Sequence, residues 1–401
     1  MVIKIVELLA PSRDFACLNA ALSNGADSIY IGIEGYNMRS NVVNFNLEEI
    51  KKAVDLCHEQ DVRLYICTNT IMKDKDIESL KKLFPILNSL EVDAVIISDL
   101  GALKIANNNN LDVHMSVQTN LSNSESLNFL KDYGVKRAVL SRELSLEEIK
   151  NITSKTDIEI EVFIHGAMCM AVSGRCFLSS YLYDKNANCG ECLQPCRKEW
   201  KLISEDSNQI IIDENKNLTH FFSPNDLCMI EHVPELVGAG IHAFKIEGRA
   251  RPADYVATVT RVYHEALKQN KKGWKFNNEW FDELKKVYNR GFDTGFYFKT
   301  PHQRSSYNKS THIKKDIGVV ENYFPQVSAA QIRLWDDITK GDEILIQGPT
   351  TGLLVQNVVS MQVDGKQVDQ GLKGDSIGLK VMGKVRKNDL VYKRVSRKIK
   401  N

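Results

Sequence analysis

The sequence predicts an α/β protein: a (β/α)8 TIM-like barrel with a cysteine-rich insertion, plus a small C-terminal antiparallel β-barrel. Two observations lead there. Short β-branched runs alternate with longer amphipathic stretches up to about residue 270, and from Ile317 onward the texture changes to short alternating strands between Gly and Asp turns. A length of 401 residues also exceeds one ordinary domain, so a large unit and a smaller one are expected.

The β-branched runs are Val6 to Leu9, Ser28 to Ile31, Arg63 to Cys67, Ala94 to Ile97, Asp112 to Val117, Arg137 to Leu140, Ile158 to Ile164 and Ala243 to Ile246. Helical patterns lie between them. In Leu47 to Glu59, for example, Leu47, Ile50, Val54 and Cys57 recur at the spacing of one buried face. The "GAD" at Gly25, "EVD" at Glu91 and "YGVKR" at Tyr133 close a helix just before the next strand. Eight strands with interleaved helices favour a closed barrel over an open sheet. One connection is long, with nearly eighty residues between the seventh and eighth runs, and it carries most of the cysteines. Long insertions in compact domains are usually functional or disordered, and this one is not of low complexity. The expected boundaries are 1–270 for the barrel, with the insertion at about 166–240, then 271–315 as a linker and 316–401 as the C-terminal β-barrel.

Composition narrows the function classes. With 52 basic and 51 acidic residues the net charge is +1, so no global field draws the chain to nucleic acid or to a membrane, although a local basic groove stays open. The N-terminal run is interrupted by Lys4 and Glu7 and stops at Pro11, which fits neither a signal peptide nor a membrane span; a cytoplasmic protein is expected. Nine cysteines in a reducing compartment argue for buried thiols or metal ligation rather than a disulfide framework.

Five of those cysteines, Cys169, Cys176, Cys189, Cys192 and Cys196, fall in the segment "HGAMCMAVSGRCFLSSYLYDKNANCGECLQPCRKEW", and Cys228 follows in "PNDLCMIEH". Four thiolates suit an iron–sulfur cluster, and tetrahedral zinc would also accept them. Structural zinc prefers two tight pairs, whereas Cys169 and Cys176 stand seven apart directly after a barrel strand, so the spacing favours a cluster facing an active-site cavity. Cys169, Cys176 and Cys192 are the first three ligands. The fourth is Cys228 or Cys196, with Cys228 preferred because "NDLC" reads as the start of a helix able to fold back over the site. Cys189 reads as a bystander, and Cys17, Cys57 and Cys67 read as core.

The block "EVFIHGAMCMAVSGRCFLSSYL" resembles the signature of the collagenase-like peptidase family U32, and "AFKIEGRARPADYVATVTRVYHEAL" resembles its second characteristic block. The similarity runs over nearly the whole chain. Despite the protease name, the resemblance implies oxygen-independent hydroxylation: of a wobble uridine in tRNA, of a ribosomal-RNA cytidine, or of a quinone ring. It further implies a 4Fe-4S cluster on the signature cysteines and, for the RNA branches, prephenate as hydroxyl donor. The leading expectation is a tRNA or rRNA hydroxylase of the wobble-uridine kind. A U32 peptidase and a quinone-ring hydroxylase subunit working with a partner are the alternatives, and a cysteine site that merely staples a binding protein is a further one.

Barrel enzymes place catalytic groups at the C-terminal ends of their strands. That rule selects Glu7, Asn69, Asp99, Gln118, Asn120, Arg142, Glu143, His165, Lys245, Glu247 and Arg249. His165, four residues before Cys169, either donates to a cluster sulfur or moves a proton; equally it is a histidine satisfied at a strand end. In "KIEGRARP", Arg249 is placed to clamp a carboxylate or phosphate, beside Glu247 and a glycine that allows close approach; the competing reading is an internal Glu–Arg pair. Arg142 has the same two readings, while Arg251 reads as surface. Peptide hydrolysis has no independent support, because "AVSGR" lacks the first glycine of a nucleophile elbow and no His-Glu-x-x-His occurs. For RNA, "HQRSSYNKSTHIKK" with Tyr307 and the C-terminal "KRVSRKIK" supply bases that would bind phosphates without reading sequence.

Overall fold

The computed structural model describes residues 6–38, 43–200, 222–271, 273–301 and 308–397. Nine strands and the helices between them come first in the chain. They are β1 (Glu7–Pro11), β2 (Ser28–Gly32), β3 (Arg63–Thr68), β4 (Ala94–Ile97), β5 (Val113–Met115), β6 (Val135–Val139), β7 (Glu159–Gly166), β8 (Asp226–Cys228) and β9 (Ala243–Ile246). Strands β1 to β7 pair in sequence order, all parallel, and β9 pairs with both β7 and β1, which closes an eight-stranded parallel barrel. The extra strand, β8, lies antiparallel to the end of β7, with Cys228 opposite His165.

Helices α1 (Phe15–Ser23), α2 (Leu47–His58), α3 (Asp74–Ser89), α4 (Leu100–Asn108), α5 (Ser124–Asp132) and α6 (Leu146–Thr153) cover the outside. Their starts are chemically set. Asn46, Asp99, Asn123 and Ser145 each accept a backbone N–H of the first turn, and Glu49 and Glu148 complete capping boxes. Asp99, expected at the barrel mouth, is thereby spent as a helix cap. The alternation of strand side chains divides the interior in two. Leu8, Ala10, Ile29, Ile31, Leu64 and Ile66 pack outward under the helices, whereas Leu9, Tyr30, Tyr65, Cys67, Ala94 and Ile96 fill the barrel.

The barrel floor is ionic. Glu7 begins β1, so it sits at the N-terminal end of the barrel and not at the mouth where the sequence reading put it. Arg137 donates to both of its carboxylate oxygens, at 2.8 and 2.7 Å, and Tyr65 Oη donates at 2.9 Å. Arg137 also reaches Glu159 at 2.6 Å and Glu161 at 3.5 Å, and Lys245 donates to Glu161 at 2.6 Å.

In the insertion lie α7 (Leu178–Tyr183) and α8 (Val233–Gly238); α9 (Ala253–Asn270) follows β9 and packs along α1. The stretch expected as a plain linker has structure of its own: α10 (Asn278–Lys286) packs on α9, and β10 (Phe292–Asp293) pairs with β8.

The C-terminal part is antiparallel. Its strands are β11 (His312–Phe324), β12 (Ala329–Leu334), β13 (Ile338–Thr339), β14 (Glu343–Gly348), β15 (Gly352–Asn357), β16 (Met361–Val363), β17 (Lys366–Val368), β18 (Gln370–Gly371), β19 (Ser376–Lys380) and β20 (Leu390–Ser396). Eight of them form one sheet in the order β15-β14-β20-β11-β12-β19-β16-β17 around a core that includes Ile317, Ile332, Ile346 and Leu379; β13 and β18 pair separately. The long β11 serves both halves of the sheet, and no ladder among the described residues joins β15 to β17. This unit docks on the barrel's outer helices. Asn19 of α1 donates to the Pro349 carbonyl at 2.8 Å, and Lys314 pairs with Asp254 at 3.2 Å. Gly352 has φ +67°, and a Cβ there would press into the backbone of Asn19 and Ala20.

Candidate active site

A cavity of about 280 Å³ opens at the C-terminal end of the barrel, where the strands hand over to their loops. Its floor is barrel interior: Tyr30, Cys67, Ile96, Phe163 and Lys245. One wall is the polar set Asn69, Ser116 and Gln118. Asn69 Nδ2 donates to Ser116 Oγ at 3.0 Å and to Gln118 Oε1 at 3.2 Å, while Asn69 Oδ1 is buried without a hydrogen-bond partner. The opposite wall is the insertion, which contributes Cys169, Cys176, Cys192 and Cys196.

These four thiols are neighbours in the electrostatic sense as well. Burial raises the pKa of Cys196, the adjacent Arg197 opposes that, and Cys169, Cys192 and Cys176 each push it further up. Arg197 ties the loop in place by donating to Ser223 Oγ at 3.0 Å, to the Pro224 carbonyl at 2.7 Å and to the Met168 carbonyl. Asn188 Oδ1 accepts the Cys176 N–H at 2.9 Å and fixes the second cysteine. Among the described residues no group of three or more His, Cys, Asp or Glu side chains is arranged to hold a single metal ion.

Cys228 does not line this cavity. "NDLC" forms strand β8 rather than a helix start, and the pairing of β8 with β7 turns the thiol inward to Tyr263, whose hydroxyl lies 3.9 Å away. Burial pushes its pKa up to about 12. Cys196, the alternative fourth thiol, is the one that shares the cavity. Cys67, expected as plain core, lies in its floor, while Cys17 and Cys57 are core and Cys189 is absent from its lining.

His165 also faces elsewhere. Side chains along β7 alternate, so Glu161 and Phe163 point into the barrel, and His165 would follow by parity. A register irregularity between Phe163 and His165 against β9 breaks that parity. The imidazole instead lies among Tyr255, Tyr263 and Phe292, 99 % buried, with Nδ1 3.4 Å from Tyr263 Oη. Burial, assisted by the charge of Arg251, holds its pKa down to about 3, so it is neutral at physiological pH. The ring lies outside the cavity lining, and its hydrogen-bond partner is the Tyr263 side chain rather than the backbone group or cluster sulfur the sequence suggested. Gly166 beside it has φ +104°, and a Cβ there would overlap the Glu247 carbonyl.

The cationic side chains do converge. Lys245, Arg249, Arg142 and Arg197 line the cavity together with a single carboxylate, Glu247. Arg249 is 96 % buried; its Nη2 donates to Asn37 Oδ1 and to Asn44 Oδ1, the latter at 2.8 Å, while Nε has no hydrogen-bond partner. Arg142 lies over the Phe163 ring at 3.8 Å and donates to the Ala167 carbonyl at 2.8 Å. Its Nε is likewise buried without a hydrogen-bond partner. Lys245 Nζ sits 4.6 Å from the Tyr30 ring centre and is tied to Glu161 below. Arg251 stacks on Tyr288 at 3.7 Å, away from the cavity lining. Arg197 escaped the sequence reading, although it directly follows Cys196 in "QPCR".

A second cavity, of about 520 Å³, lies on the other side of the Met168–Ser173 loop and shares Arg142 and Cys169 with the first. It also takes in Asn120 and Glu143, two of the positions selected at strand ends. The basic segments expected to meet RNA lie partly outside the described residues, Tyr307 among them. No helix of the described residues is long and apolar enough to cross a membrane.

Comparison with known proteins follows the same span. The model of peptidase family U32 matches residues 13–307. An uncharacterized protease of Methanocaldococcus jannaschii is 46% identical over 97% of this chain and 98% of its own length. A collagenase of Porphyromonas gingivalis is 36% identical over 96% of this chain and 97% of its own. A tRNA hydroxylation protein of Bacillus subtilis is 33% identical over 92% of this chain and 90% of its own.

Proposed function

Because the chain belongs to peptidase family U32 and is an enzyme of that family, we propose that it hydroxylates RNA, at a wobble uridine of tRNA, with a small carboxylate such as prephenate as the hydroxyl donor. The observation that carries this reading is the joint lining of one cavity by the four thiols of the insertion and four cations, at the end of the barrel where barrel enzymes work. Similarity over nine-tenths of the chain to a protein named for tRNA hydroxylation supports the choice of RNA.

The donor set fits a 4Fe-4S cluster held by Cys169, Cys176, Cys192 and Cys196. Four cysteine thiolates are the usual complement of such a cluster. Tetrahedral zinc would accept the same four thiolates. Bound there, the cluster would supply a one-electron relay or a Lewis-acidic iron. The protein's own groups do the rest. Lys245, Arg249 and Arg142 neutralise and orient the donor carboxylates, with Arg249 held in place by Asn37 and Asn44. Asn69, Ser116 and Gln118 offer donors and acceptors to its oxygen functions. In the net change a pyrimidine C–H becomes C–OH as a donor C–OH becomes C–H, so oxidation of one carbon balances reduction of the other.

The relatives named as collagenase and protease favour a second reading, peptide hydrolysis. Against it, no histidine among the described residues lines either cavity. Nucleoside mass spectrometry of tRNA from a strain lacking the gene tests the proposal: 5-hydroxyuridine derivatives are expected to disappear and to return with the wild-type gene. An unchanged nucleoside profile would overturn it. Gelatin cleavage that survives Cys169→Ala would favour the peptidase.

A further inference from the structure

Two cavities flank the Met168–Ser173 loop, and the proposed reaction needs two substrates. Their charge differs. Among the described residues the barrel cavity has Lys245, Arg249, Arg142 and Arg197 against one carboxylate, whereas the second has two carboxylates, Glu143 and Asp293, balanced by Arg142 and by Lys299 beside Asp293. A carboxylate donor is attracted by the first and finds no net cationic charge in the second. The second cavity therefore calls for an uncharged ligand with N–H groups to offer.

Asp293 makes that demand specific. Its side chain is 96 % buried. Oδ1 accepts the Gly295 N–H at 2.9 Å, but Oδ2 accepts no hydrogen bond, and the Lys299 ammonium stands 3.9 Å off. That ion pair is long and supplies no hydrogen bond, and a buried carboxylate oxygen that accepts none is costly, so a ligand N–H placed there gains affinity. Beside it Phe296, Leu227 and Pro301 present apolar surface of the kind on which unstacked bases rest. A space of about 520 Å³ admits a nucleotide. Enzymes that modify a base inside RNA must first take it out of its stack into such a pocket.

We infer that the second cavity is the base pocket, receiving a flipped-out uracil ring whose N3–H donates to Asp293 Oδ2, across the Cys169 loop from the hydroxyl donor. This assignment rests on the RNA reading above. Arg142, which borders both cavities, is then the side chain that touches both substrates.

The test uses the full-length protein and two short RNA hairpins, identical except that the wobble uridine of one carries a 3-methyl group, which removes the N3–H. Equilibrium binding is measured by fluorescence anisotropy. The wild-type protein is expected to bind the unmethylated hairpin about tenfold more tightly. Asp293→Ala is expected to abolish that preference while still binding both hairpins through their phosphates. Equal affinities in the wild type, or a preference that survives Asp293→Ala, would overturn the assignment. Because the wild-type comparison involves no mutation, a misfolded variant cannot rescue the idea. Loss of 5-hydroxyuridine from the deletion strain combined with equal affinities would remove the pocket assignment alone, whereas an unchanged nucleoside profile removes the function beneath it.

Discussion

Glu7→Gln tests the ionic floor of the barrel. In the native protein Arg137, 2 % exposed, donates from Nη1 and Nη2 to separate oxygens of Glu7, which is itself 5 % exposed. The amide keeps one acceptor and turns two N–H donors toward the guanidinium groups of Arg137 and Arg63, so it loses a charge and gains a donor–donor clash. Removing one partner of a buried ion pair costs about 3–5 kcal/mol. Arg137 retains Glu159 and Glu161, which places the expected loss near the lower figure, about 3 kcal/mol. At about 2–4 °C per kcal/mol for a domain of this size, Tm should fall by roughly 6–12 °C. Glu159→Gln is the control: its side chain is 44 % exposed, and its loss should cost no more than about 1 kcal/mol. Urea unfolding followed by far-ultraviolet circular dichroism measures both variants. A Glu7→Gln protein no less stable than Glu159→Gln would refute the reasoning.

The same pair predicts a pH dependence. Burial by itself would raise the pKa of Glu7, but the hydrogen bonds and charge of Arg137, with help from Ser28 and Arg63, outweigh it and hold the pKa below the ordinary carboxylate value. A carboxyl whose pKa is lower folded than unfolded stabilises the fold above the unfolded value, about 4.3, and loses that contribution as pH falls through the folded one. The gap between wild type and Glu7→Gln should therefore be full at pH 6 and narrow below pH 4.

His165→Gln should leave tRNA hydroxylation at pH 7 close to wild type, because the imidazole faces α9; a drop beyond tenfold in the nucleoside assay would return it to the active site. Its pKa, held down to about 3, sets a sign: the unfolded chain takes up a proton that the folded one refuses, so the wild type loses about 1.4 kcal/mol per pH unit between about 6.5 and 3. His165→Gln should flatten that slope in acid-unfolding titrations. Gly32→Ala would thrust a methyl group into the guanidinium of Arg249 and the amide of Asn44; the expected result is a 10- to 100-fold higher KM for the donor with Tm nearly unchanged, read in steady-state assays. Cys196→Ser should strip iron from anaerobically purified protein while Cys228→Ser keeps it. The reverse iron contents would move the fourth ligand to Cys228.

The local features could be read from the residues alone. Helix starts depend on capping groups a few positions apart, such as Asn46 with Glu49, and strand runs such as Ala94–Ile97 on their own apolar composition, so both are written into neighbouring letters. The barrel followed, because eight strands separated by helices have few ways to bury both faces. The cysteines of the insertion could be singled out without a structure, and residues 169, 176 and 192 do share one cavity.

Orientation was decided by the tertiary structure. Cys196 and Cys228 are alike in the sequence, but the antiparallel pairing of β8 with β7 turns Cys228 beneath Tyr263, while the loop tied down by Arg197 sets Cys196 in the cavity wall. His165 stands in β7, whose parity would turn it inward, but a register irregularity against β9, invisible in either segment alone, turns it out. Asp293, in a stretch that looked like a linker, acquires its buried oxygen because β10 joins the edge of β8. Composition and period are properties of one segment. The direction of a side chain is fixed by its partners across the sheet, which lie far along the chain, Ile246 for His165 and Ala243 for Glu7, and that distance is what the sequence by itself does not cross.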